Sequence, residues 1–310
     1  MSDRKVLVLA HTGRPAALSV AEELLGRLSH AGVTPLVLPE EAQQLSAGCL
    51  AVSEYADPED PLDHAELVIV LGGDGTILRA GEIVRGTEVP LLGVNLGHVG
   101  FLAESERDDL EFVVERISSQ SYEVEERMTL DVLVEHDGEV VARNWAINEA
   151  TVEKASRERM IEVVLEDDGR PVTAFGCDGV VLATPTGSTA YAFSSGGPVV
   201  WPEVEALLVV PISAHALFSK PLVVSPRSVV AIEVLPDTPR AVLWCDGRRT
   251  LDLPPGARVE VRRGAAPVRL ARLHLTPFTD RLVTKFGLPV TGWRGRVRHP
   301  AAPPPPGTAP

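Results

Sequence analysis

Leu67-Val-Ile-Val-Leu-Gly-Gly-Asp-Gly-Thr-Ile-Leu-Arg79 decides how this chain is read. Leu67 to Leu71 is a short apolar run rich in β-branched residues, the pattern of a fully buried strand. Gly72, Gly73 and Gly75 then break it, with one carboxylate, Asp74, among them. From Thr76 to Ile83 apolar residues recur at helical spacing. A strand feeding a glycine turn feeding a helix brings backbone N–H groups up to a phosphate. Glycine allows close backbone approach and positive φ angles. Asp74 is out of place in a plain phosphate cradle, because its charge repels an anion; it points to chemistry or to metal binding. The residues alone leave open a tight strand–helix turn with a solvated Asp.

Working outward, the flanks repeat the same alternation. Lys5 to Ala10 reads as a buried strand, His11-Thr12-Gly13-Arg14 as the loop after it, and Pro15 as a helix start. Ala16 to Leu28 has helical spacing, and Pro35 to Leu38 reads as a strand. Residues 40 to 63 are polar, with Asp57-Pro58 and Asp60-Pro61 as breakers, and read as a loop or flap. Pro90 to Asn95 is a further strand, and Asp108 to Ser118 a helix. This alternation predicts a Rossmann-like α/β domain with a parallel sheet. Sites in such sheets lie beyond the carboxyl ends of the strands, here the loops at His11, Gly72 and Asn95.

The period then changes to that of strands. Tyr122 to Arg127, Leu130 to Glu135, Asn144 to Glu153, Met160 to Leu165, Val172 to Phe175 and Val180 to Ala183 read as strands. Ser228 to Leu235, Ala241 to Trp244, Arg258 to Arg262 and Val268 to Leu273 continue the series. Asp137-Gly138, Asp168-Gly169 and Asp246-Gly247 are hairpin signals. The expected organisation is an α/β domain over 1–127, an all-β sandwich over 128–277, a closing segment over 278–298 with a helix at Phe278 to Phe286, and a proline-rich disordered tail over 299–310.

The chain has 310 residues, 45% of them hydrophobic but only 5% aromatic, so the core is built from Val, Leu, Ala and Ile. A net charge of −14 argues against nucleic-acid binding, which needs a basic face. A bound polyphosphate would have to rely on N–H cradles, metal ions and a few placed arginines. There is no apolar run of roughly 18 residues, so no membrane partner is expected. The start, Met-Ser-Asp-Arg-Lys-Val, lacks the pattern of a secretory signal, and Cys49, Cys177 and Cys245 are scattered. Both features fit a cytoplasmic protein.

Three further constellations could carry chemistry. Asn148-Glu149 interrupts an apolar run, and by alternation both cannot share a solvent face. The pair reads either as a strand end or as an amide and a carboxylate that grip vicinal hydroxyls or a base edge. Asp178-Gly179 precedes Thr184-Pro-Thr-Gly-Ser-Thr-Ala-Tyr191, whose four hydroxyl residues exceed what one helix cap needs. Tyr191 could stack on a base or pack in the core. Arg79, one turn into the helix after the glycine loop, could meet phosphate oxygens. Arg159 could do the same or be solvated. His215 reads as structural and Arg262-Arg263 as a solvated strand face. No Gly-Lys-Ser or Gly-Lys-Thr follows a glycine loop, so there is no Walker P-loop.

Together these stretches resemble the NAD kinase family, from Gly72 to about Trp293. Gly72-Gly-Asp-Gly-Thr76 is similar to its glycine–aspartate signature. Asn95-Leu-Gly-His-Val-Gly-Phe-Leu102 is similar to its second motif, with Val99 where leucine is usual. Asn148-Glu149 and the Asp178 to Tyr191 block match two more. Phe278 to Phe286 and Gly292-Trp-Arg-Gly295 look like actinobacterial members. The first motif alone is also found in lipid kinases and phosphofructokinases; the four in order are specific.

The resemblance implies phosphorylation of the adenosine-ribose 2′-hydroxyl of NAD to NADP. ATP or polyphosphate would be the donor, with Mg²⁺ or another divalent cation. It implies that Asp74 is the base, or holds metal and nucleophile in line. Gly72, Gly73, Gly75 and Thr76 would form the phosphate loop, with Asp74, Gly75, Arg79 and Arg159 near the dinucleotide. Asn148 and Glu149 would hold base and ribose, and Asp178 the nicotinamide end or an adjoining subunit's nucleotide. Thr189, Ala190, Tyr191 and Ser194 would frame the adenine. It further implies a homodimer or homotetramer assembled through the β domain. Arg248 stands where glutamine or asparagine is common, and Gly176 where some members have a longer side chain. A lipid kinase of the diacylglycerol or sphingosine type and a non-catalytic dinucleotide sensor are the competing readings.

Overall fold

The structure is a computed structural model describing residues 4–11, 13–96, 100–103, 105–106, 110–157, 159–273 and 277–290. The described residues up to 273 belong to one compact unit. Its first part runs β1 (Lys5–Ala10), α1 (Pro15–His30), β2 (Thr34–Val37), α2 (Pro39–Ala42), α3 (Ala47–Leu50), β3 (Glu54–Tyr55), β4 (Ala65–Leu71), α4 (Asp74–Val84), β5 (Leu91–Asn95), β6 (Ser105–Glu106), α5 (Leu110–Ser118) and β7 (Glu123–Arg127). The second runs β8 (Leu130–His136), β9 (Glu139–Ala146), β10 (Glu149–Lys154), β11 (Ile161–Asp167), β12 (Arg170–Cys177), β13 (Gly179–Ala183), a 3₁₀ turn (Thr186–Thr189), α6 (Tyr191–Ser194), β14 (Leu207–Ile212), β15 (Leu222–Val224), β16 (Val230–Val234), β17 (Ala241–Cys245), β18 (Arg249–Leu253), β19 (Arg258–Arg263) and β20 (Val268–Arg272).

The first sheet has the order β3-β2-β1-β4-β5-β20-β7, with β6 beside β5. Its β1–β5 core is parallel, as the alternation predicts. Two features differ from the sequence reading. Val268 to Leu273 was expected in the β sandwich, but β20 lies in the first sheet, parallel to β5, and β7 pairs antiparallel with β20. The sheet is therefore mixed. Residues 40 to 63 also carry two one-turn helices and β3, which extends the sheet beyond β2, rather than a plain loop. Helix α1 buries Val20, Ala21, Leu24, Leu25 and Leu28 against one face, at the i, i+3, i+4 spacing that made it legible.

The second part is two six-stranded antiparallel sheets, β15-β14-β13-β10-β17-β18 and β12-β11-β16-β19-β8-β9. One apolar core draws from both: Val132, Ile161, Val163, Ile232 and Val259 from one, Ala150, Val152, Val180, Val209 and Leu243 from the other. This is the expected sandwich. At Asp137-Gly138, Asp168-Gly169 and Asp246-Gly247 both residues have positive φ; the first two are two-residue hairpin turns, and the third sits in the three-residue connection Asp246-Gly247-Arg248. β14 (Leu-Leu-Val-Val-Pro-Ile) is a strand that the sequence reading passes over. Where one strand was expected from Asn144 to Glu153, the chain breaks at Ile147-Asn148 between β9 and β10.

The two parts meet along α4. Gly81 faces Ile147 and Trp145, and a Cβ there would come within 2.5 Å of Ile147 Cδ1. Trp145 and Ile147 join the core formed by Leu7, Val68, Ile77 and Leu270. Helix α7 (Phe278–Phe286) forms where the pattern placed it, ended by Gly287 at φ 58°. It belongs to a separate unit, 276–310. The proline-rich tail and Gly292 to Gly295 lie outside the described residues.

Candidate active site

Helices α1 and α4 begin at the carboxyl ends of β1 and β4, and both N-termini open on one cleft of about 380 Å³. Its wall is His11, Arg14, Gly73, Gly75, Thr76, Arg79 and Arg248. Arg14 is the N-cap of α1 and Gly73 that of α4, and neither helix has a side-chain cap bond. Ala17 and Thr76 N–H already donate to the Arg14 and Gly73 carbonyls and Pro15 has none, so Ala16 of α1 and Asp74 and Gly75 of α4 keep the N–H groups left for another acceptor, at the positive ends of two helix dipoles. Three guanidiniums add to that field. The chemistry of this wall suits a polyphosphate.

The glycines act differently from the sequence reading. None of Gly72, Gly73 or Gly75 has positive φ. Gly72 is needed for close approach, because a Cβ would sit 2.5 Å from Thr76 Oγ1. Gly73 and Gly75 face open space, so bare backbone borders the cleft. Asp74 is the first residue of α4, and its carboxylate accepts long bonds from the N–H groups of Phe101 (3.4 Å) and Leu102 (3.3 Å). Gly100 lies so close to Asp74 that a Cβ would collide with the carboxylate. The first and second motifs therefore touch, although residues 97–99 of the second lie outside the described residues. Arg79 reaches the cleft while paired with Glu40 (3.2 Å) and the buried Glu41 (3.5 Å). Glu41 also accepts from Ala10 N–H at 3.0 Å; burial holds its carboxyl above the usual range, against the pull of that bond and of Arg79.

Beside the cleft, Asn148 and Glu149 are both buried, at 8% and 6% exposure, so the strand-end reading with one solvated residue fails. Asp246 explains the break in the strand. Its carboxylate accepts from Ile147 N–H (3.0 Å) and Asn148 N–H (2.7 Å), and pairs with Arg249 at 2.9 Å. Sequence reading took Asp246 for a turn residue only; a carboxylate next to the buried strand β17 is the signal that it turns inward. Arg248, two residues on, lines the cleft and pairs with Glu82 at 3.2 Å. The β17–β18 hairpin thus joins the cleft to the Asn148–Glu149 pair.

Glu149 carries the strongest electrostatic signature. Burial foremost, then the nearby Asp246, pushes its carboxyl up to about 8, against a bond from Tyr191 N–H. Its Oε2 is buried and makes no hydrogen bond among the described residues. The hydroxyl block packs against the Ile147–Asn148 backbone. Thr184 Oγ1 donates to Ile147 C=O at 2.6 Å and accepts from Gly187 N–H at 3.0 Å. Ser188 Oγ bridges both backbone groups of Val200, and Thr189 Oγ1 donates to Thr186 C=O. Those hydroxyls are occupied in holding the turn. Thr189 and Ala190 are half-buried, while Tyr191 and Ser194 are exposed.

Gly187 packs directly on the Asn148 carbonyl, leaving no space for a Cβ. Since the neighbour is backbone, it cannot swing aside. Gly187→Ala is expected to lower unfolding free energy by about 3 kcal/mol, the upper end for overpacking. A denaturation midpoint matching wild type would show that the turn yields.

Asp178 and Arg159 are not brought to the cleft. Lys154, which pairs with Asp178 at 2.5 Å, is at the far end of β10 from Glu149, about 17 Å away at strand rise. The bond from Lys154 holds the Asp178 carboxyl below its usual range. Arg159 is exposed on the loop between β10 and β11.

Residues 6–122 match the ATP-NAD kinase N-terminal domain, and residues 147–273 the ATP-NAD kinase C-terminal domain. The chain belongs to the ATP-NAD kinase family. NAD kinase 2 of Streptomyces coelicolor is 66% identical over 293 residues, 94% of this chain and 97% of that protein. The NAD kinase of Leifsonia xyli subsp. xyli is 63% identical over 297 residues, 95% of this chain and 98% of that one. A crystal structure of yeast NADH kinase complexed with NADH shares the fold, with TM-score 0.85 at 24% identity over 94% of this chain and 90% of that one. An NAD kinase from Archaeoglobus fulgidus in complex with ATP gives TM-score 0.66 at 26% identity, over 92% of this chain and 97% of that one. Among the described residues of this NAD kinase family member, no group of three or more His, Cys, Asp or Glu could hold a metal ion.

Proposed function

We propose that this chain phosphorylates the 2′-hydroxyl of the adenosine ribose of NAD, giving NADP, with ATP or polyphosphate as donor. One observation carries the reading: a cleft formed by two helix N-termini and three arginines is joined, through the Asp246 hairpin, to the buried Asn148–Glu149 pair with its unpartnered carboxyl oxygen. The cleft takes the phosphates, and Asn148 and Glu149 take the nucleoside. The relatives named NAD kinase support it.

Phosphoryl transfer asks for positioning and charge neutralisation. Gly73 and Gly75 would meet phosphate oxygens through N–H groups and Thr76 through its hydroxyl, since its N–H donates to the Gly73 carbonyl, with Arg79 and Arg248 beside them. Asp74, at the cleft wall, would accept the hydroxyl proton. In a loose transition state that proton leaves late, so orientation counts for more than basicity. Mg²⁺ would arrive bound to the donor phosphates, with Asp74 as a carboxylate contact, a usual arrangement for that ion. It would neutralise charge on the transferring group. Glu149 and Asn148 would hold ribose and base, with Thr189, Ala190, Tyr191 and Ser194 framing the adenine. An extended dinucleotide running along β10 would bring its other end to Asp178 and Arg159.

Self-association through the β half, as a homodimer or homotetramer, belongs to the same reading. It is supported by Leu217 and Phe218, 112% and 52% exposed, on the β14–β15 loop. A cytoplasmic setting is supported by three free thiols. No described helix is long and apolar enough to cross a membrane.

The test is NADP formation from NAD, Mg²⁺ and ATP, then polyphosphate, read with an NADP-specific dehydrogenase. No NADP with either donor defeats the proposal. Glu149→Ala is expected to raise KM for NAD by about 3- to 10-fold, the scale of a hydrogen bond from a carboxyl that keeps its proton near neutrality, and KM for ATP by much less. An equal rise in both removes Glu149 from the NAD pocket. The raised carboxyl also sets a pH dependence. The fold binds a proton that the unfolded chain releases near 4.5, so stability falls as pH rises from about 4.5 to about 8 and then levels. Glu149→Gln should flatten that fall in a melting series.

A further inference from the structure

The outer face of the β9-β8-β19 strands carries a second cavity, of about 280 Å³, whose wall includes Arg85, Asp131, Leu133, Arg143, Asn144 and Arg262. Strand register explains how it forms. Asp131 lies opposite Trp145 on β9 and Arg262 on β19, and one rung along Leu133 lies opposite Arg143. Directly paired residues share a face, so Arg143, Asp131, Leu133 and Arg262 all stand on the outer side. Arg143 and Arg262 are two strand spacings across and two residues along, about 12 Å, within which two long guanidinium side chains can converge on one group.

The charges in this cavity are unevenly matched. Arg85, the C-cap of α4, stacks on Trp145 at 4.7 Å and pairs with Asp131 at 3.1 Å. The second Asp131 oxygen accepts from Ala265 N–H at 3.1 Å. The one carboxylate in the wall is thereby engaged. Arg143 and Arg262 are exposed and make no ion pair or hydrogen bond with any described residue. Three guanidiniums against one carboxylate leave a charge of +2 in a chain whose net charge is −14. The carboxyl end of α4 offsets roughly half a charge of this.

We infer that this cavity is a second anion site, separate from the glycine-loop cleft, that takes a small phosphate-class anion. Guanidinium forks match phosphate oxygens in pairs. The volume fits a phosphate or pyrophosphate and is small for a whole nucleotide. The site lies one helix length, about 16 Å, from Asp74 at the other end of α4.

Titration calorimetry of the full chain with inorganic pyrophosphate, without metal, NAD or ATP, tests this independently of the kinase reading. Wild type should take up two equivalents per chain, one in each cavity. Arg143→Gln/Arg262→Gln should lose one class of site, with affinity there down at least tenfold. Arg79→Gln/Arg248→Gln, altered in the cleft, should keep that class. The unliganded melting temperature of the first variant should match wild type, since neither arginine has a partner to lose among the described residues. Identical isotherms for wild type and Arg143→Gln/Arg262→Gln overturn the site. So does loss of all binding in the cleft variant. Citrate binding to this class as tightly as pyrophosphate overturns its assignment to phosphate.

Discussion

Asp74→Asn is expected to lower kcat for NADP formation by about 10³-fold, within the range for a positioned proton acceptor, while the Kd for NAD stays within about threefold. The basis is the separation of roles within the cleft. Asp74 opens α4, and its carboxylate packs against Gly100 and accepts two long N–H bonds from described residues, at 3.4 and 3.3 Å. Asparagine keeps the shape and one acceptor oxygen, so little of the wall should move. What it loses is the ability to take a proton and the negative charge that would face the hydroxyl and the donor's metal ion. Single-turnover kinetics beside NAD calorimetry separates the two quantities. Turnover within tenfold of wild type would remove Asp74 from the chemistry. A large fall in NAD affinity would make it a binding residue instead.

The second large effect is on folding. Asp246→Ala is expected to cost about 3–5 kcal/mol, the range for breaking a buried charge pair. It leaves Arg249 without its Asp246 partner and strips the acceptor from the Ile147 and Asn148 N–H groups. Arg249 keeps Glu82 and the Trp145 carbonyl, which holds the loss to the lower part of that range. Burial holds the Asp246 carboxyl above its usual range, with those N–H bonds and Arg249 pulling it back. Asp246→Asn should cost less, because it can still accept from one N–H. KM for NAD should rise in both variants, since the Ile147–Asn148 break sets where Glu149 stands. Chemical denaturation gives the first quantity and steady-state kinetics the second. A loss below about 1 kcal/mol for Asp246→Ala would return the residue to the role of a simple turn former.

The parts of the molecule that local chemistry dictates were legible in the sequence. Three Asp-Gly pairs had to make tight hairpins, and they do. The strand, glycine turn and helix around Asp74 formed as the spacing required. Partner choice was not legible. Val268 to Arg272 has the apolar pattern of a buried strand in either half, and nothing within it says that its neighbour is β5. Asp246 has the same difficulty: its backbone role is fixed by Gly247, but its side chain bonds to residues about a hundred positions earlier. Arg79 and Arg159 looked alike as lone cations. Only the fold separates the one beside the glycine loop from the one on an exposed turn.

The return of β20 to the first sheet has a consequence for synthesis on the ribosome. Among the described strands β7 pairs only with β20, and the β5 edge at Leu91 faces Leu270. Translation at about 5–20 residues per second makes β20 roughly 10–35 s later than β5. For that interval the nascent first half holds an open edge and a strand without a partner, while the sandwich between them is still being made. Completion of the N-terminal sheet is therefore a late event, and the β sandwich can assemble before it. A chain that stalls after the sandwich would present a finished C-terminal body on an unfinished N-terminal one, the kind of exposed edge that chaperones must cover.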